Sequence, residues 1–241
     1  MQISTGISIA SLVVSVITLA LVLMLLAGKP WEPSPVETVL TPTPTAIPTT
    51  NAGLYYEKGK GYAERDEWFK AWEQFDKAIQ IDPDYAKAYY NRGISSYNLD
   101  RYEDAINDYT MAIQIDPDDS NAYNNRGRAY SKLGQYEDVI NDYTKLIQMY
   151  PDYADYYHLR INAYNQLDRY EDAINDYTKL IQMYPKHEHI WPANYNLNLT
   201  EALFNRGRAY SKLGQSSLAD ADKTKACSLI DYRPSKEAKG C

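Results

Sequence analysis

Four prolines, Pro83, Pro117, Pro151 and Pro185, stand 34 residues apart, and other residues keep the same interval. Gly59, Gly93 and Gly127 form one column, and Ala71, Ala105 and Ala173 form another in which Val139 takes a place. Tyr62, Tyr130 and Tyr164 make a third column; Phe75, Tyr109, Tyr143 and Tyr177 make a fourth. Residues 140–151 and 174–185 are identical. A chain built this way copies one small unit, and each unit buries its apolar face only by stacking on the next. Within a unit, two apolar-periodic stretches of about fourteen residues flank a turn at Leu99-Asp100, Leu133-Gly134 or Leu167-Asp168. That pattern predicts a helix hairpin. Its glycine and alanine columns let the two helices approach, the aromatic columns fill between neighbouring pairs, and proline ends each second helix.

Tyr at the fourth place, Gly at the eighth, Ala at the twentieth, an aromatic at the twenty-fourth and Pro at the thirty-second resemble the tetratricopeptide repeat in combination. The resemblance implies an all-α fold, a right-handed α-solenoid of five helix hairpins. The units fall at 52–85, 86–119, 120–153, 154–187 and 200–233. The last is placed by residues 205–215, which repeat 125–135 unchanged, so that an insertion, residues 188–199, precedes it. Two departures carry structural expectations. Ile161 stands in the glycine column and should push its hairpin apart. Lys223 stands in the aromatic column, and with Asp220, Asp222 and Lys225 it gives unit five a polar second helix suited to a terminal cap.

Ahead of the repeats the chain changes character twice. Residues 1–28 carry no ionisable side chain, and residues 7–27 are apolar for about the length a membrane-spanning helix needs. A cleaved signal peptide would want a basic start, a shorter apolar core and small residues at the cut site, and Leu25 and Leu26 spoil that site. The expectation is a single-pass anchor. Residues 29–51 hold six of the twelve prolines and six threonines, which makes an extended linker rather than a core, with a reach of about 70 Å. Flanking charge barely orients the anchor; the Pro/Thr stalk points to a repeat domain, residues 52–241, outside the cytoplasm.

The net charge of −7 and the lack of a Lys/Arg cluster exclude the phosphate-neutralising surface that nucleic-acid binding needs. Catalysis finds no glycine-rich phosphate loop, no nucleophile elbow and no carboxylate pair distinct from the surface acids Glu103-Asp104, Glu137-Asp138 and Glu171-Asp172. His187 and His189 flank Glu188 within and beside the insertion, too few ligands for a metal site. No cofactor is expected. Trp191 is either a binding element or a cover for the edge of unit four. Cys227 and Cys241 make a bridge in an oxidising compartment and free thiols in a reducing one.

Arg92, Arg126, Arg160 and Arg206 share the seventh place, and each is followed sixteen residues on by an Asp: Asp108, Asp142, Asp176 and Asp222. Unit one has Lys58 and Gln74 instead, so both members depart together. That covariation within the chain favours interhelical ion pairs over a basic stripe awaiting a ligand. Most of the 24 tyrosines fall in packing columns. The family resemblance implies that an extended peptide lies in a concave groove lined by the first helices. Its contact places here are Tyr56, Lys60, Tyr90, Asn91, Asn125, Arg128, Lys132, His158, Asn162 and Arg208, with Tyr97 facing the same groove. The clamp that some relatives use for chaperone tails is broken: Asn91 and Arg128 fit it, but Tyr56, Lys60 and Asn124 do not. The expected function is a membrane-tethered, non-enzymatic scaffold for a protein or peptide partner. The alternative is an accessory subunit whose array packs against its own assembly.

Overall fold

A unit of this length has room for two helices and two turns, and the computed structural model, which describes residues 49–184 and 194–230, builds every unit that way. The hairpins are α1 (Thr49–Ala63) with α2 (Trp68–Ile81), α3 (Ala86–Asn98) with α4 (Tyr102–Ile115), and α5 (Ser120–Lys132) with α6 (Tyr136–Met149). Then follow α7 (Ala154–Gln166) with α8 (Tyr170–Met183), and α9 (Asn194–Lys212) with α10 (Ser216–Ile230). There is no strand among the described residues. Each helix packs on the one before it and the one after it, and α3 also touches both α1 and α5, as consecutive hairpins in a solenoid must.

The turn inside each hairpin is set by one residue in the left-handed region: Asp66, Asp100, Gly134, Asp168 and Gly214, with φ of 57°, 58°, 70°, 53° and 73°. The following amide then folds back on the last helical turn. Arg101 N–H donates to the Ser96 carbonyl at 2.9 Å, Gln135 to Tyr130 at 3.0 Å and Arg169 to Tyr164 at 2.9 Å. This six-to-one bond satisfies carbonyls that the helix end leaves open. Asp replaces Gly in three of the five turns because a short polar side chain tolerates this backbone and finds a local donor. Tyr102 Oη donates to Asp100 at 2.6 Å, and Tyr170 Oη donates to Asp168 at 2.5 Å. Between hairpins, Asp82 and Asp116 accept from the amides two residues on, so an Asx turn and a proline stop the second helix together.

Glycine is required where the two helices of the first and of the second hairpin cross. A Cβ on Gly59 would come within 2.6 Å of the Phe75 ring, and one on Gly93 within 2.7 Å of the Tyr109 ring. Both rings are fully buried and have nowhere to go. Ile161, which takes this place in the fourth hairpin, is fully buried. The final hairpin stacks normally despite the insertion. The described part of that insertion, 194–199, is helix and lengthens α9 at its start. On α10 the buried side chains are Ala219, Asp222 and Ala226, while Lys223 and Leu218 face solvent, which is the character of an end helix.

No helix among the described residues is long and apolar enough to cross a membrane. The expected anchor at 7–27, most of the linker, Trp191, His187, His189 and Cys241 lie outside the described residues.

Candidate functional site

The arginine column forms a row of identical clamps. In the second hairpin, Arg92 donates through Nε to Asp108 Oδ2 at 3.0 Å and through Nη2 to Oδ1 at 2.6 Å. Arg126–Asp142, Arg160–Asp176 and Arg206–Asp222 repeat this fork at 2.6 to 2.9 Å. The third nitrogen reaches back to the previous hairpin. Arg126 Nη1 donates to Thr110 at 3.0 Å, Arg160 Nη1 to Thr144 at 2.8 Å and Arg206 Nη1 to Thr178 at 2.9 Å. Arg92 Nη1 meets Asp76 at 2.5 Å in the same place. Each guanidinium therefore ties three helices from two hairpins. The contact from Arg206 to Thr178 spans the insertion and keeps the fifth unit in register.

Aromatic rings sandwich these cations: Tyr123 and Tyr130 on Arg126, and Tyr157 and Tyr164 on Arg160, all within 6 Å of the guanidinium carbon. Burial pushes the Asp108 and Asp142 carboxyls up from their ordinary value, while hydrogen bonds from Arg92 and Arg126 pull them down. With each guanidinium nitrogen and both oxygens of each carboxylate engaged, this column is architecture and not a ligand surface. The sequence pairs each Arg with its Asp but does not single out the Thr110, Thr144 and Thr178 column. Its recurrence every 34 residues was the available signal.

Apart from Arg208, the expected groove residues fall into two sets that share Asn125. In the first, neighbouring repeats satisfy one another. Asn91 Nδ2 donates to Tyr56 Oη at 3.2 Å and to the Lys87 carbonyl at 2.8 Å, and Asn125 Nδ2 donates to Tyr90 Oη at 3.0 Å. Tyr56 packs on Phe75 and Tyr85, and Tyr90 packs on Tyr109, where burial raises its hydroxyl above the ordinary value. Lys60 pairs with Glu57 at 3.0 Å, and His158 Nε2 lies 3.3 Å from Tyr184 Oη.

The second set lines open space. A cavity of about 470 Å³ is bounded by Tyr97 of α3, by Arg128, Ser131 and Lys132 of α5, by Tyr136, Val139 and Tyr143 of α6, and by Leu159, Asn162, Ala163 and Gln166 of α7. A smaller one of about 270 Å³ adjoins it, between Ile94, Tyr97, Asn98, Tyr109, Asn125 and Arg128. Arg128 lies over the Tyr97 ring, 5.6 Å from its centroid, and the two residues border both cavities. Of the expected residues, Asn125, Arg128, Lys132 and Asn162 meet here; Tyr56, Lys60, Tyr90, Asn91, His158 and Arg208 line neither cavity. Tyr136, Val139 and Tyr143 form a floor from a second helix, which reasoning from first-helix places alone does not reach. Among the described residues there is no group of three or more metal-ligating side chains.

Family models described as tetratricopeptide or TPR repeats match residues 59–100, 86–119, 109–140, 154–187 and 200–231, more than half of the chain together. The chain belongs to the tetratricopeptide repeat family. No curated relative matches this TPR chain. Solved structures similar to it include a MamA protein, at 20% identity and TM-score 0.62 over 75% of this chain and 92% of that one. MamA of Desulfovibrio magneticus RS-1, from residue 41 to its end, follows at 18% and 0.58 over 77% and 98%. YrrB, described as a TPR protein with an unusual peptide-binding site, is similar at 16% and 0.59 over 73% and 85%. At these identities the likeness establishes the fold alone.

Proposed function

We propose that this TPR array is a non-enzymatic receptor for an extended segment of another protein, held on the face made by α3, α5 and α7. The observation that carries the reading is the pair of adjoining cavities on that face. They join cations, amides and apolar walls, and among the described residues Arg128 and Lys132 there hold no carboxylate. The similar fold of YrrB, a TPR protein described with a peptide-binding site, supports the same use of the scaffold. Further, the apolar run at 7–27 and the Pro/Thr linker support a single-pass tether with the array outside the cytoplasm.

A second reading, an accessory subunit packed against its own assembly, is favoured by exposed aromatic area elsewhere. Tyr150 and Tyr153 are 47% and 50% exposed, and Tyr153 stacks at 4.5 Å on Tyr156. Affinity capture from detergent-solubilised membranes separates the two. Recovery of the partner is expected to vanish with Arg128→Glu plus Asn162→Leu and to survive Tyr150→Ser plus Tyr153→Ser; the reverse pattern assigns the protein to the second reading. A reporter fused after Cys241 that is active only inside the cell would overturn the extracytoplasmic placement.

A further inference from the structure

Arg128 and Lys132 stand one helical turn apart on α5, so two like charges share a face. Among the described residues, neither enters an ion pair. Other cations among the described residues, Arg101 and Arg208 for example, also lack a carboxylate, but they line neither cavity, whereas Arg92, Arg126, Arg160 and Arg206, at the seventh place of the first helices, are all paired. The residues lining the two cavities include no Asp or Glu at all, in a chain whose net charge is −7. A repulsive pair with no counter-charge within its own cavity is relieved when an anion arrives. The cavity is not a bare anion hole, however. Val139 and Leu159 supply apolar wall beside the cations, and Asn162 supplies an amide able to bond a peptide backbone.

Resting on the groove reading above, we infer that the ligand is an internal acidic segment of a partner protein, with a Glu or Asp side chain held by Arg128 and Lys132 and a bulky apolar side chain next to it against Leu159 and Val139. An internal segment is favoured over a chain terminus because the site is not a dead end. The second cavity continues it past Tyr97 toward α3 and α4, so that a strand passes through. The carboxylate displaces Arg128 from the Tyr97 ring, trading a cation–π contact for a charge-assisted hydrogen bond, which is the stronger of the two.

The test screens the full-length protein, in detergent micelles, against a randomised library of end-blocked peptides, so that every carboxylate comes from a side chain. Enriched peptides are expected to pair Glu or Asp with Leu, Ile, Phe or Tyr. Replacing that Glu by Gln should weaken binding about tenfold to a hundredfold. Arg128→Gln and Lys132→Gln should cause the same loss for the Glu peptide and little for its Gln twin, with the helical circular dichroism unchanged. Enrichment of neutral or basic peptides whose binding is abolished by Leu159→Asp would overturn the acidic ligand and leave the groove intact. Binding that requires an unblocked C-terminus would overturn the internal segment. If no peptide binds, the groove reading falls with this one.

Discussion

Gly93 is held to a bare α-carbon by the Tyr109 ring, while Gly53 on α1 has nothing within 4 Å of the Cβ it lacks. The two therefore give opposite answers to one substitution. Gly93→Ala forces the buried ring aside and is expected to lower stability by about 1–3 kcal/mol. Gly53→Ala removes only backbone freedom from a helix and should raise it by about 0.5–1 kcal/mol. Urea unfolding followed by circular dichroism measures both, and equal shifts would show that the hairpin crossing is looser than described. Ser96 makes a second case. It occupies the column of Tyr62, Tyr130 and Tyr164, is fully buried, and its hydroxyl has no hydrogen-bond partner among the described residues. Trp72 from the preceding hairpin takes over the missing tyrosine's stacking on Arg92. An orphan hydroxyl is a cost, so Ser96→Ala should stabilise the protein by about 1 kcal/mol; a lower urea midpoint would mean that the oxygen is hydrogen-bonded after all.

Between helices, the arginine clamps decide how hairpins register on one another. Removing Arg126 leaves Asp142 buried without a counter-charge and also strips Thr110 of its donor. Arg126→Met alone is expected to cost about 3–5 kcal/mol, whereas Arg126→Met with Asp142→Leu should recover most of that, since desolvating the pair was itself expensive. A double change as damaging as the single one would sink the account of a satisfied but energetically neutral pair. These clamps were legible because residue identity recurs: a 34-residue period exposes both the Arg and the Asp columns, and their joint absence from unit one pairs them. The groove was less legible. Sequence places Asn91 and Asn125 on the first helices, but the Tyr56 and Tyr90 hydroxyls they satisfy belong to the preceding repeats, and only packing between units reveals that. Likewise Tyr136 and Val139 join the cavity from α6, the second helix of its hairpin, which reasoning from first-helix places does not reach.

Across the array, the largest fully buried side chains are phenolic. Tyr109 and Tyr143 are 1% exposed, and burial raises both hydroxyls well above the ordinary tyrosine value of 10.0. The consequence for stability follows from proton counting. Above that value the unfolded chain sheds these protons while the folded chain keeps them, so the folded state binds more protons and its stability falls as pH rises. Below it both states are protonated and the two residues contribute no pH dependence. Because each hairpin is held only by its neighbours, ionising a central ring should melt the stack and not one unit. Phenolate absorbance is therefore expected to rise in two stages as pH climbs, the second coinciding with loss of the helical circular dichroism signal. Tyr109→Phe plus Tyr143→Phe should move that second stage to higher pH. Complete phenolate formation with the helical signal intact would show the aromatic columns open to water, and stacked hairpins with a ring-filled interior could not then be the structure.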